Sequence, residues 1–262
     1  MIMMLQEPVP GWIDNLNGPT GFFLIAGLGV LRTAVIHDKL KIDAVPVDTC
    51  ASIIIAAAHQ TAVNHRQGNS TIKIYNHVSG PQAPLTWGDS YSMARTALLK
   101  YPFENVVWYP VSSFNNNEIE NKVLGFLLQD VPARVTDLIM QMLGRKVFAV
   151  RLSSKMQTGL RAMKYFTSNE WRWENPSSQE LFNSLSPDDK LEFNFSVESI
   201  SWDIFINNFV QGLRKYVLKQ DPSTIPATRT KLRKLYFAHI AVQTLGCLVL
   251  LWLVYLVYSG IH

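Results

Sequence analysis

The feature that most constrains this chain is an apolar run close to its C-terminus. Residues 235–258 read LYFAHIAVQTLGCLVLLWLVYLVY and contain no Asp, Glu, Lys or Arg. As a helix these residues extend about 36 Å, which is enough to cross the hydrocarbon core of a bilayer. A buried core helix is the alternative, but the run is apolar on every face. Aromatic residues typical of membrane interfaces stand at its two ends: Tyr236, Trp252, Tyr255 and Tyr258. The run therefore predicts a transmembrane anchor.

The excess of basic charge lies directly before this run. The chain has 24 Lys and Arg against 20 Asp and Glu, and the six residues 229–234, RTKLRK, supply four of the basic ones. The rest of the chain is balanced, which argues against nucleic-acid binding. A basic flank favours a cytosolic body with the tail SGIH across the membrane. We expect a tail anchor in the endoplasmic reticulum, with the peroxisome as the alternative.

Cysteine and histidine show no pattern of a metal or disulfide site. The two cysteines are Cys50 and Cys247, and the second lies inside the apolar run. This number fits a reducing compartment. The six histidines have no HExxH spacing. No metal site is predicted.

Residues 1–117 show the alternation of strands and helices that is typical of α/β folds. The stretches MIMML, DAVPVD and TIKIYN, at residues 1–5, 43–48 and 71–76, predict short strands. A helix is predicted after the second of these, with Asp48 as its cap. Thr86 and Asp89 have the spacing of a capping box ahead of another helix.

Residues 118–228 are predicted to form a small all-helical domain, and residues 229–262 a basic flank and anchor. A long amphipathic segment is expected to break near Pro132 and to end at Gly144, and Ser186 is expected to begin a short helix. The stretch DPSTIPATRT, at residues 221–230, predicts a linker into the anchor. The segment Val123–Leu143 is expected to pack within the helical domain, with contact to the membrane surface as the alternative.

The catalytic parts of a nucleotide-dependent enzyme are not found in this sequence. A dinucleotide site needs glycines at a strand-to-helix turn. Gly18, Gly21, Gly27 and Gly29 lack that pattern, so we interpret them as turn residues. Short-chain reductases need a Tyr with a Lys four residues later, and no tyrosine here has one, Tyr91 being followed by Arg95.

Three segments carry a resemblance to a known family. They are EPVPGWIDNLNGPTG at residues 7–21, DAVPVDTCASIIIAAA with IYNHVSGPQAPLTWGD, and the stretch from YFTSNEWRW to YVLKQDP at residues 165–222. Together they resemble the C-terminal part of fatty acyl-CoA reductases, most closely the insect members. The resemblance implies the end of an extended short-chain-dehydrogenase-type Rossmann domain, a helical domain and an anchor.

This resemblance also implies an activity and a cofactor. Such enzymes reduce long-chain fatty acyl-CoA to fatty alcohol with NADPH, a step of lipid metabolism. Their NADPH loop and catalytic Tyr-Lys pair would lie before Met1, so we expect a truncated form that is inactive alone. The alternative is a non-catalytic, membrane-anchored protein that binds lipid or pairs with a full-length reductase. Expected partners are fatty acyl-CoA, the bilayer and further copies of a reductase.

The resemblance assigns candidate site residues as well. Residues Pro8, Pro10, Gly11 and Trp12 would form a wall of the nicotinamide and substrate pocket. Their alternative roles are loop rigidity for the two prolines, a turn for Gly11 and packing for Trp12. Arg32, Lys39 and Lys41 would contact the phosphates of coenzyme A, or else form solvated surface. Five aromatics are expected in the core rather than in an acyl site: Trp171, Trp173, Phe193, Phe195 and Trp202.

Overall fold

Short strands and helices alternate in the first half of the chain. The computed structural model describes residues 9–261, with side chains as far as Ser259. The elements of this half are α1 (Pro19–Gly27), β1 (Thr33–Val35), β2 (Lys41–Ile42), α2 (Val47–Arg66), β3 (Leu85–Thr86), α3 (Trp87–Lys100) and β4 (Ser113–Asn115). Strand β1 pairs in parallel with β4, and β2 pairs antiparallel with β3. The α/β prediction is thus met by two small two-stranded sheets.

Two predicted strands are wrong, and the third, at residues 1–5, lies outside the described residues. Residues 71–76 are extended but have no sheet partner, and the Ile72 side chain is 89% exposed. A strand forms only where a neighbour takes up its N–H and C=O groups, and no described segment does so here. Residues 43–46 form the turn between β2 and α2. Asp48 does not cap α2, because the helix begins one residue before it and Pro46 holds the cap position.

The start of α3 follows the sequence prediction. The Thr86 hydroxyl accepts a hydrogen bond from the backbone N–H of Asp89 at 3.0 Å and donates to the Asp89 carboxylate at 2.7 Å. The capping interaction is therefore confirmed. It satisfies one of the backbone donors that the first turn of a helix leaves free.

The second half is helical. Its helices are α4 (Glu118–Gly125), α5 (Val131–Met142), α6 (Ala149–Thr167), α7 (Pro176–Ser184), α8 (Pro187–Glu192), α9 (Trp202–Gly212) and α10 (Ile225–Ile261). A π-helical turn, Phe126–Asp130, joins α4 to α5 directly before Pro132, whose ring removes a helical N–H. Gly144 follows α5 with a φ of 63°, and Ser186 caps α8 through the N–H of Asp189. Both predicted helix boundaries are confirmed.

The main hydrophobic core joins the two halves of the chain. Helix α9 packs against α1 and α3, and the rings of Phe23 and Phe209 meet edge to face at 5.6 Å. Phe103, Phe205 and Leu213 are among its fully buried side chains. This core crosses the predicted boundary near residue 117. The division into domains at residues 117 and 228 stays a prediction.

Helix α10 begins earlier than predicted, so the predicted linker at residues 221–230 is wrong. The helix starts at Ile225, and Pro226 lies in its first turn, where backbone N–H groups have no acceptor within the helix. Two residues of the basic flank hold this part to the body. Arg229 donates to the carbonyl of Lys100 at 2.7 Å, and Lys231 to the carbonyl of Glu104 at 2.9 Å.

Helix α10 has two parts. We call the part as far as His239, which packs on the body, the docked part, and the part from Ile240 onward the free part. Thr228, Leu232 and His239 are buried against the body, whereas every side chain from Ile240 to Ser259 is exposed. An 18-residue window of this helix has a mean hydropathy of 2.3 and no buried residue. Within the described residues this helix is the one long and apolar enough to span a membrane.

Candidate functional site

An apolar cleft lies between α1, the β2–β3 pair, the C-terminal half of α6 and α9. Its volume is about 540 Å³. Pockets of about 300–1,000 Å³ with apolar walls are typical of small-molecule sites. The apolar side chains of the walls are Phe23, Ile42, Leu85, Trp87, Met163, Phe166, Trp171, Phe205, Ile206 and Phe209.

The floor of the cleft is rigid, whereas its rim is exposed. Phe205, Ile206 and Phe209 share one face of α9 and are at least 97% buried, so they belong to the main core as well as to the cleft. Phe166 and Trp171 stand at the rim, with rings 5.8 Å apart and exposed fractions of 58% and 38%. A ligand would therefore meet a preformed floor and a rim that is free to adjust.

One cation and one carboxylate stand at the mouth of this cleft. Both Lys41 and Asp43 line it. The backbone N–H of Lys41 donates to the Glu170 carboxylate at 3.0 Å, and this hydrogen bond lowers the pKa of Glu170. The carboxylate of Asp43 accepts from the backbone N–H of Ser79 at 2.8 Å. The mouth thus offers a lysine side chain to an anionic group of a ligand.

The opening loop contributes to the cleft through its last residues. Gly18 and Pro19 line the cleft, but Gly11 lies against α9. A Cβ on Gly11, where φ is 76°, would be 2.5 Å from the carbonyl oxygen of Asn208. Pro10 is exposed and Trp12 is half-buried. Pro8 lies outside the described residues, and the assignment of these four residues to a pocket wall stays a prediction.

The three basic residues proposed for coenzyme A lie in different surroundings. The Arg32 guanidinium donates to the carbonyl of Tyr109 at 3.0 Å, and burial lowers its pKa. Lys39 is exposed in the turn before β2. Lys41 is the member of this set that borders the cleft. Only for Lys41 does the geometry place the side chain near an apolar ligand site.

Two of the glycines near α1, Gly27 and Gly29, face protein rather than a ligand. A Cβ on Gly27 would lie 2.5 Å from the ring of Phe103, and one on Gly29 would lie 2.0 Å from the carbonyl oxygen of Trp108. Gly27 and Gly29 therefore leave no room for the phosphates of a dinucleotide cofactor beside them. Gly18 and Gly29, with φ of 59° and 74°, lie in turns as predicted, whereas Gly21 and Gly27 belong to α1, so their interpretation as turn residues is wrong.

The aromatics expected in the core differ in where the structure places them. Phe195 is buried in a small cluster with Ile53 and Leu181, and Trp202 packs on the main core. Trp171 lines the cleft instead, and Trp173 is half exposed. Sequence reasoning missed Phe166 and Phe209 as cleft residues. The helical spacing of Phe205 and Phe209 could have indicated a shared face, but not that this face borders a cleft.

The chain is similar to known proteins over most of its length. Two family models described as male sterility protein match the chain, an NAD-binding one over residues 1–54 and a second one over residues 128–220. Fatty acyl-CoA reductase 1 of Rattus norvegicus is 33% identical over 97% of the chain, and fatty acyl-CoA reductase 2 of Bos taurus is 34% identical over 91% of it. Over nearly its whole length the chain is therefore similar to fatty acyl-CoA reductases.

The match covers part of each relative. The chain spans about half the length of the curated relatives it matches, 48% of the first and 46% of the second. The NAD-binding model indicates a nicotinamide cofactor for the family. The cleft lies where the two matched regions meet, because Gly18 and Lys41 fall in the first region and Met163 and Phe209 in the second.

Proposed function

We propose that this chain forms the acyl-chain site and the membrane anchor of an enzyme that reduces long-chain fatty acyl-CoA to fatty alcohol with NADPH. The cleft at the junction of the two family regions carries this proposal. Its apolar walls suit an alkyl chain, since each buried methylene contributes about 0.8 kcal/mol. Lys41 at its mouth is placed for the thioester end or a phosphate of coenzyme A.

We assign no hydride-transfer step to this chain, because its sequence lacks the glycine pattern of a dinucleotide site. The sequence likewise contains no Tyr followed by Lys at the fourth position. These two features favour a second candidate function, in which the chain binds lipid without catalysis or pairs with a full-length reductase. Both candidates use the same cleft, and they differ in whether fatty alcohol is formed.

The cleft is tested by filling it. Ala162 is exposed and lines the cleft on α6, so Ala162→Trp would occupy its space without touching the core. Excluding two methylenes costs about 1.6 kcal/mol, so affinity for palmitoyl-CoA should fall roughly tenfold or more. Ala51→Trp, at an exposed alanine on α2, is the matched control and should bind normally. Calorimetric affinities equal for both variants would show that the acyl chain binds elsewhere.

The role of Lys41 is tested with two ligands. Lys41→Ala should weaken the binding of palmitoyl-CoA and leave the binding of hexadecanol unchanged, because only the first ligand carries phosphates. Lys122→Ala, at an exposed lysine on α4, is the control. An equal loss for both ligands would mean that Lys41 supports the cleft rather than contacts coenzyme A.

We also propose that α10 beyond His239 crosses the membrane, with the body in the cytosol and the endoplasmic reticulum favoured over the peroxisome. The exposure of every side chain from Ile240 to Ser259 and the absence of charge there support this. The helix from 240 to 258 is about 28 Å long, close to a bilayer core. In sealed vesicles, the chain should resist alkaline carbonate and lose its body to added protease. A protected body would reverse the orientation.

A further inference from the structure

The outer face of α5 is apolar and no other described part of the chain covers it. Val131, Val135, Leu138 and Met142 follow one another at spacings of four, three and four residues, so they share one side of the helix. Met142 is 79% exposed, and no residue of α5 is buried. Phe126 and Leu127, in the preceding π-helical turn, are also half exposed. We call these six side chains the α5 outer face. A continuous apolar surface of this kind marks an interaction site.

The charge around this face is positive. Residues 126–155, from the start of the α5 outer face, contain five basic side chains and two acidic ones, Asp130 and Asp137. The Asp130 carboxylate accepts a hydrogen bond from the Ser153 hydroxyl at 2.9 Å. The basic residues are Arg134, Arg145, Lys146, Arg151 and Lys155, all of them exposed. The Asp137 carboxylate accepts hydrogen bonds from the backbone N–H groups of Phe148, Ala149 and Val150 at 2.8–2.9 Å. It is therefore engaged within the protein, and the segment presents a cationic border to a partner.

A short chain of contacts links this face to the point where α10 leaves the body. The side-chain oxygen of Gln129, in the same π-helical turn as Phe126, accepts from the backbone N–H of Arg32 at 3.0 Å. The Arg32 guanidinium donates to the backbone carbonyl of Tyr109. The ring of Tyr109 stacks on the ring of His239, with the ring centroids 5.8 Å apart. His239 is the last buried residue of α10. The turn that begins the α5 outer face is thus connected, through Arg32 and Tyr109, to the residue at which the docked part of α10 ends.

We propose that the α5 outer face lies in the interfacial layer of the membrane that α10 crosses, with its basic border on anionic headgroups. An amphipathic helix with an apolar face and a cationic border is the form that binds such surfaces. The proposal rests on the membrane assignment of α10 made above. It adds a second contact, so that the body is held at two places rather than one.

This contact would bring the cleft into a fixed relation with the bilayer. Helix α6 begins where the Asp137 carboxylate fixes it to α5, and it carries Met163 and Phe166 of the cleft near its C-terminal end. One rigid helix therefore connects the proposed membrane contact to the wall of the acyl site. A lipid substrate taken from the membrane would reach a cleft whose position is set by both contacts.

The test measures lipid contact in the full chain. Single cysteines are placed at Leu138, Met142, Glu192 and Leu250 in a background with Cys50→Ser and Cys247→Ala, and each carries an environment-sensitive fluorophore. Glu192, exposed on α8, is the control outside the face, and Leu250 reports on α10. The proteins are reconstituted in phosphatidylcholine vesicles containing phosphatidylserine and lipids with nitroxide-labelled acyl chains. We expect strong quenching at Leu138, Met142 and Leu250 and several-fold less at Glu192.

Three results would overturn the proposal. Quenching at Leu250 without quenching at Leu138 and Met142 would leave the anchor intact and remove the second contact. A blue shift at Leu138 and Met142 without lipid quenching would mean that protein covers this face. Absence of quenching at Leu250 as well would reject the anchor itself, and with it the basis of the proposal. Arg145→Glu with Lys146→Glu should lower quenching at Leu138 but not at Leu250, and no change at Leu138 would reject the role of charge.

Discussion

At the scale of single residues, the closest backbone approach is where the opening loop crosses α9. A Cβ on Gly212 would lie 1.8 Å from the carbonyl oxygen of Gly11, a distance that no real Cβ shows. The two glycines therefore allow two backbones to touch. The sequence indicated a turn at Gly11, but not the glycine of α9 on which that turn rests, because close approach depends on two distant segments.

Gly212→Ala should destabilise the protein by about 1–3 kcal/mol or more, since the loop must move away from α9. Gly159→Ala is the matched control, because that glycine is also helical but a methyl group added to it would have nothing within 4 Å. The control should be neutral or more stable by about 0.5–1 kcal/mol. Thermal or denaturant unfolding of both variants measures this. Equal stability of the two variants would contradict the close contact between the opening loop and α9.

Lys41 shows how far the candidate site could be predicted at this scale. It was proposed from family position, and it borders the cleft, whereas Arg32 bonds to Tyr109 and Lys39 lies in a turn. Sequence position alone could not separate the three. The difference arises from the β2–β3 pair, which turns Lys41 toward α6 and α9.

At the scale of elements, Asp137 acts as a cap supplied by a neighbouring helix. Its carboxylate accepts from three backbone N–H groups at the start of α6, while the cap position itself is held by Phe148, which has no side-chain acceptor. The hydrogen bond from Val150, followed by those from Ala149 and Phe148, lowers the pKa of Asp137. A negative charge here also suits the positive end of the α6 dipole.

Asp137→Asn should loosen the α5–α6 connection, seen as several-fold faster trypsin cleavage at Arg145 or Lys146. Asp14→Asn, at an exposed aspartate outside this connection, is the control. Because the folded pKa is lowered, the stabilisation by Asp137 is complete above the ordinary value of 3.8 and is lost as pH falls through the folded value. The stability difference between wild type and Asp137→Asn should therefore shrink as the pH falls through the folded pKa of Asp137. A difference independent of pH would contradict the role of the ionised carboxylate.

The elements were predicted well where local chemistry decides them. Thr86 and Ser186 cap their helices as the sequence indicates, since a cap needs only neighbouring residues. The errors fall where a distant partner decides. Residues 71–76 have strand composition but no strand beside them, and residues 221–230 have linker composition but include the docked start of α10. Tertiary contact overrides composition in both cases.

At the scale of the whole molecule, α10 belongs partly to the body. Leu232 is buried with Val106 and Tyr109 in a small core of its own, and the indole N–H of Trp108 lies 3.3 Å from Nδ1 of His239. His239 belongs to the apolar run, residues 235–258, from which the sequence predicts the anchor. The structure places it against two aromatic rings, because the docked face of α10 continues to that residue.

Two truncations test this division. Removal of residues 240–262 should leave a folded body that alkaline carbonate extracts from membranes, because only the α5 outer face still holds it, and its unfolding temperature should be unchanged. Removal of residues 225–262 also deletes Leu232, and a buried leucine is worth about 2–5 kcal/mol, so this body should unfold at a clearly lower temperature. Equal unfolding temperatures would show that the first part of α10 is not part of the body.

The purified 262-residue chain should form no fatty alcohol from palmitoyl-CoA and NADPH. The reason is that the sequence has neither a phosphate-binding glycine pattern nor a Tyr-Lys pair. Palmitoyl-CoA binding to the same preparation is the control that the protein is folded. Fatty alcohol detected by gas chromatography above the level of a boiled sample would contradict this prediction.

Helix α10 runs without a break from the body into its free part. The rotation of the body about the helix axis is therefore fixed relative to the free part of α10. An α-helix turns about 100° per residue, so one alanine inserted between His239 and Ile240 would rotate the body by that angle about the helix axis. A protein that binds one side of α10 inside the bilayer would then set the direction, in the plane of the membrane, in which the cleft opens. Contacts made within the membrane would thereby determine which neighbouring protein on the cytosolic side faces the cleft.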